Sequence, residues 1–178
     1  MRSILLFSAL LMFSCVGPSR PEKGKLISQW ETNNQVFKIR ISEYDEKGAY
    51  LTGAYYVFES AALDSDNWIP IMTFRHDDQP GIPKDQVRFV DQQIAYAYMG
   101  WMSAVTKDGG TSWTVWDAKK DLPDWKCCNY GLIDDLKIAL EGEGVMKLRP
   151  IHQRPGEIPE LRTKDYGQHW NVQEGTPK

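Results

Sequence analysis

Two kinds of apolar pattern divide the chain. Residues 4–13, Ile-Leu-Leu-Phe-Ser-Ala-Leu-Leu-Met-Phe, form one almost unbroken run of ten positions. A membrane-crossing helix needs roughly 20 such residues, and Gly17, Pro18, Arg20, Pro21, Glu22 and Lys23 end the run with breakers and charge. From Phe37 onward apolar and polar positions alternate in short segments, the period of half-buried strands. Strands are predicted over 37–41, 49–51 and 55–60, then 87–90, 93–99, 101–106 and 114–116, then 136–140, 145–148, 160–163 and 171–172. Ile94, Tyr96 and Tyr98 fall on one face of their segment and Ala95, Ala97 and Met99 on the other. The stretch 132–140 also reads as a helical turn, but its place in the series favours a strand.

The first apolar run, preceded by Arg2, has the length and flanks of a signal peptide. The two ways of cutting it differ in cost. A cut after Gly17 would leave Pro18 at the new N-terminus. Met12-Phe13-Ser14-Cys15 instead resembles the bacterial lipobox, with small Ser14 before the cysteine. That resemblance implies a signal peptide over 1–14, diacylation (palmitate-type chains) on Cys15, and a lipid-anchored chain in the bacterial envelope. Val16, where an aspartate would favour retention at the inner membrane, implies the outer membrane and a periplasmic or surface setting. An uncleaved N-terminal anchor is the other reading. Residues 15–27 are predicted to be a tether, because Gly17, Pro18, Pro21 and Gly24 discourage regular structure.

The 164 residues from Cys15 to Lys178 suffice for one domain with a core, taken as 28–174. Trp 7, Tyr 8 and Phe 6, with Gly 14 and Pro 10 for turns, point to an all-β fold without long helices. A net charge of −3, with the cations dispersed, gives no footprint for a nucleic-acid partner. Beside Cys15 the cysteines are the adjacent pair Cys127-Cys128, for which a vicinal disulfide, two buried thiols next to Trp125 and intermolecular pairing all remain open. No second pair and no CxxC spacing supports a metal or redox site.

One template occurs twice. Thr106-Lys107-Asp108-Gly109-Gly110-Thr111-Ser112-Trp113 and Thr163-Lys164-Asp165-Tyr166-Gly167-Gln168-His169-Trp170 share T-K-D-x-G-x-x-W, 57 residues apart. The spacing has a local cause. A short acceptor at the start of a turn can bond N–H groups a few residues on, glycine closes the turn at positive φ, and the tryptophan covers it from the returning strand. The template resembles the Asp-box (BNR) hairpin of sialidase-type and assembly-factor-type β-propellers. Leu63-Asp64-Ser65-Asp66-Asn67-Trp68 resembles a degenerate third copy without its glycine. Trp68, Trp113 and Trp170 are then equivalent anchors at blade-like intervals. The expectation is a compact antiparallel domain of about three blade-like units, either a sandwich-like body or a partial propeller completed by a second copy, since closed propellers have at least four blades.

Asp108 and Asp165, held by their own loops, are expected to be structural. The resemblance implies sialidase chemistry only with an arginine cluster, and Arg40, Arg75, Arg88, Arg149, Arg154 and Arg162 are scattered. His76-Asp77-Asp78, with His152 and His169 as recruits, reads as a turn rather than a metal site. Glu43, Asp45 and Glu46 read as an acidic turn without EF-hand spacing. No nucleophile motif occurs, so neither enzyme activity nor a cofactor is expected. Tyr55, Tyr56, Tyr96, Tyr98, Trp101, Trp116 and Trp125 exceed what the hairpins need, and Trp101 and Trp125 are the candidate binding aromatics. Three functions follow: a non-enzymatic envelope lipoprotein that binds a protein partner in an assembly or immunity role, a glycan-binding module, and a glycosidase-like enzyme.

Overall fold

The structure, a computed structural model, describes residues 23–46, 53–76, 80–122, 132–149 and 160–173. These residues form twelve strands in three antiparallel four-stranded meanders. Sheet I holds β1 (Lys23–Asn33), β2 (Phe37–Glu46), β3 (Ala54–Ala62) and β4 (Ile69–His76). Sheet II holds β5 (Val87–Phe89), β6 (Ala95–Met99), β7 (Met102–Thr106) and β8 (Thr114–Asp117). Sheet III holds β9 (Ile133–Ile138), β10 (Gly144–Leu148), β11 (Glu160–Thr163) and β12 (Asn171–Gln173). The helix α1 (Ala118–Asp121) is one turn long, opened by the Asp117 carboxylate accepting from the Lys119 N–H at 3.0 Å. The chain is thus all-β, antiparallel and compact.

The sheets stack face to face with sheet II in the middle, which is why every residue of β6 is buried. Its two faces solve different packing problems. Phe37, Ile39, Ile41, Phe58 and Phe74 of sheet I crowd one face, where sheet II offers Ala95, Ala97, Met99 and Ala104. Sheet III brings Leu136, Ile138, Met146, Leu148 and Leu161 to the other, against Tyr96, Tyr98, Val105 and Trp116. Large-to-small matching keeps both interfaces dense.

The outermost faces differ from these interfaces. On sheet I, Arg40 pairs with Glu59 at 2.8 Å and Lys38 with Asp66 at 3.3 Å. On sheet III, Lys137 pairs with Asp135 at 3.1 Å and Arg162 with Glu160 at 2.7 Å. Charged end faces of this kind terminate a stack of repeats.

Several elements depart from the sequence reading. β1 starts at Lys23, inside the expected tether, and β4 lies where no strand is predicted. Glu43 and Asp45 are not in a turn: they continue β2, opposite Tyr56 and Ala54. His76 closes β4, half-buried, and the turn expected after it begins at Asp77 and Asp78, which lie outside the described residues. β9 is a strand, so the helical alternative over 132–140 fails. The predicted strand over 49–51 lies outside the described residues.

Candidate functional site

The two ends of the stack are chemically distinct. The loops between the third and fourth strands all lie at one end, each latched to the first hairpin turn of its own sheet. The Leu63 N–H donates to the Val36 carbonyl at 3.0 Å, Gly109 to Gln93 at 3.0 Å, and Tyr166 to Gly142 at 2.9 Å. Neighbouring turns are also tied together, since Asn34 Nδ2 donates to the Asp91 carbonyl at 3.0 Å and Lys107 Nζ lies 5.5 Å from the Tyr166 ring centre. The three loops therefore form a row.

Within the two T-K-D-x-G-x-x-W loops the bonding is nearly superimposable. Thr106 Oγ1 donates to Asp108 Oδ1 at 2.9 Å and accepts from the Gly110 N–H at 3.0 Å. Thr163 does the same with Asp165 at 2.7 Å and Gly167 at 2.9 Å. Asp108 accepts from the Ser112 N–H at 2.9 Å and the Ser112 hydroxyl at 2.6 Å. Asp165 accepts from the His169 N–H at 3.0 Å and lies 2.6 Å from His169 Nδ1. Burial works to raise both carboxyls, but the donors around them prevail: Asp108 sits below its usual value, and Asp165 is held at about 2. Both carboxylates are saturated inside their own loops.

The three tryptophans do not play the same part. Trp113 crosses to sheet I, packing edge-on against Phe37 at 6.3 Å, with its Nε1–H donating to Ser60 Oγ at 2.9 Å. Trp170 crosses to sheet II and meets Trp116 at 6.2 Å, but its buried Nε1–H has no acceptor. Trp68, with no sheet before its own among the described residues, lies over Arg40 at 3.9 Å and Lys38 at 5.0 Å. It therefore caps the outer face of sheet I.

Exposed large apolar side chains also sort by end. Leu63, Ile69, Val115, Leu140 and Val172 lie in or next to the row of loops, and Leu26 and Ile27 lie at the opposite end. All are aliphatic. Of the surplus aromatics, Tyr56, Tyr96, Tyr98 and Trp116 are buried. Trp101, on the β6–β7 turn at the far end, is half-buried between Phe74 at 4.6 Å and Lys119 Nζ at 3.3 Å. Trp125, Cys127, Cys128, Cys15, His152 and Arg154 lie outside the described residues.

The same far end holds a buried carboxylate. Glu43, 4% exposed, accepts from Ser28 Oγ at 2.6 Å and from the Tyr56 hydroxyl at 2.9 Å. Burial, and then the bond to Glu43, pushes the Tyr56 phenol well above its ordinary value. Two neutral donors leave this carboxylate a structural clamp between β1, β2 and β3. Nothing in the residue pattern marks Glu43 as buried except its phase: it shares the inward face with Phe37, Ile39 and Ile41.

Among the described residues the arginines are dispersed. Arg40 and Arg162 are paired on opposite outer faces, Arg149 bonds Asp134 at the edge of sheet III, and Arg88 donates to its neighbour's carbonyl. No group of three or more His, Cys, Asp or Glu among the described residues is placed to hold a metal ion. A depression of about 240 Å³ on sheet III has Lys137, Glu143, Gly144, Val145, Arg162 and Lys164 among its lining residues. Small-molecule sites usually run to roughly 300–1,000 Å³. No family model, curated protein or solved structure matches the chain.

Proposed function

We propose that the chain is an envelope lipoprotein, anchored through Cys15, that binds a protein partner without catalysis, in an assembly or immunity role. The observation that carries this reading is the row of latched loops with exposed aliphatic side chains on all three sheets: Leu63 and Ile69, Val115, and Leu140 and Val172. Sugars are held largely by aromatic faces and polar fans, whereas aliphatic residues on a rigid rim suit the apolar centre of a protein interface. Most of the aromatics that would make a glycan platform are in the core instead. The lipid address rests on the resemblance of Met12-Phe13-Ser14-Cys15 to the lipobox.

The test is crosslinking in cells followed by recovery of the C-terminally tagged chain. One dominant protein should co-purify from wild type and fall more than tenfold in the Leu63→Asp, Leu140→Asp double variant. Recovery of polysaccharide, lost with Trp101→Ala, would replace this reading with the glycan module. Recovery that ignores the double variant would refute the loop surface.

A further inference from the structure

We propose that the end of the stack opposite the Asp-box loops rests on the bilayer, with Leu26 and Ile27 dipping into the lipid interface and the loop row facing away from the membrane. This rests on the lipid-anchor reading and adds an orientation to it.

Strand direction supplies the first argument. β2 leaves the loop end at Phe37 and reaches the far end at Glu46, and antiparallel β1 enters at the far end, with Leu26 opposite Tyr44 and Asn33 opposite Lys38. Whatever precedes Lys23 therefore joins the body at the far end. From Cys15 to Lys23 an extended chain reaches no more than about 29 Å. β1 is 11 residues long, about 36 Å at strand rise. A lipid on Cys15 holds the far end near the bilayer, while the loop row stands a strand length beyond it.

The second argument is the chemistry at that junction. Leu26 and Ile27 are 44% and 47% exposed. The β1–β2 register shifts between Leu26 and Ser28, and this bulge sets both side chains on the face that carries Tyr44, as one small apolar patch at the tip of the ribbon. A fluid layer into which the ribbon tip dips covers both. Lys25 is exposed beside them, long enough to keep its ammonium at the headgroups while its stem lies along the apolar layer. Its backbone N–H is already bonded to the Asp45 carboxylate. Tyr44, across from Leu26, has the amphipathic shape that settles at such interfaces.

The test uses the full chain in cells, with p-benzoylphenylalanine in place of Ile27 or, for comparison, of Thr111. Both positions are exposed, so neither substitution threatens the fold. On irradiation the Ile27 position should yield phospholipid adducts at least tenfold above Thr111. Lipidation is read separately, from the mass of the N-terminal tryptic peptide ending at Lys23. Acylated Cys15 with adducts no more frequent at Ile27 than at Thr111 would overturn the docking while leaving the lipid anchor intact. Adducts at Ile27 on a chain whose Cys15 is not acylated would uphold the docking and refute the anchor. Absence of both would refute both.

Discussion

Ser60 offers the sharpest test of how the sheets are joined. It is fully buried on β3. It accepts from Trp113 Nε1–H at 2.9 Å and donates to the Gly110 carbonyl at 2.9 Å, so one hydroxyl joins sheet I to the loop of sheet II. Ser60→Ala deletes a single atom and leaves two partners behind. An unsatisfied buried polar group costs about 1–3 kcal/mol. The Trp113 indole is only half-buried, and the carbonyl keeps weaker alternatives, so the expected loss is about 2–3 kcal/mol, not the sum of two full penalties. Urea unfolding of the detergent-solubilised chain, followed by far-UV circular dichroism, should show that loss with an unchanged slope. Ser60→Ala and Trp113→Phe should be coupled by about 1–2 kcal/mol in a double-mutant cycle. A loss under about 0.5 kcal/mol, or purely additive effects, would refute the bridge. The chain contains its own comparison. Ser60 stands eight residues before Trp68, and Val105 eight before Trp113. Val105 belongs to the cluster against which Trp170 packs, yet has no hydroxyl, and the Trp170 Nε1–H is left without an acceptor. Val105→Thr should therefore cost less than the usual penalty of placing a hydroxyl in a core, and should shift the Trp170 indole proton downfield.

Gly110→Ala should destabilise by about 3 kcal/mol or more in the same assay, because φ is +80° and the new Cβ would sit 2.5 Å from the Phe37 ring. Gly109→Ala, at φ +68° with its nearest neighbour at 3.2 Å, should cost clearly less. Tyr56→Phe keeps the ring but removes one of the two donors to Glu43, and thermal unfolding should report a loss of about 1–3 kcal/mol. Asp165 is held at about 2 in the folded chain against an ordinary 3.8. Its contribution is thus complete above the ordinary value and is lost as pH falls through the folded one. The stability difference between wild type and Asp165→Asn should shrink steadily from pH 5 to pH 2, and a difference independent of pH would show that the carboxylate's charge is not what stabilises the loop.

Much of the architecture could be read from the residues because it is local. Period-2 alternation follows from the pleat, so the two faces of β6 are legible from the residues alone. The T-K-D-x-G-x-x-W loops specify their own bonds within a few positions, and they mark the same end of two sheets. Those repeats also divided the chain into its three meanders. What failed had non-local causes. β1 and β4 carry weak patterns, with Gly24 and Pro70 in them, and become strands only because β2 and β3 offer them edges. Glu43 looked like turn chemistry, yet it continues β2 because Ser28 and Tyr56 satisfy it across two neighbouring strands.

The sequence by itself determined the strand-and-turn character, the two self-sufficient loops and the apolar N-terminal run, since each depends on contacts within a few residues. Only the tertiary structure decided which tryptophans reach a partner sheet, which tyrosines are buried, and how the exposed aliphatics divide between the two ends. Those outcomes depend on which faces meet, and a face acquires its neighbour only once strands far apart in the chain have stacked.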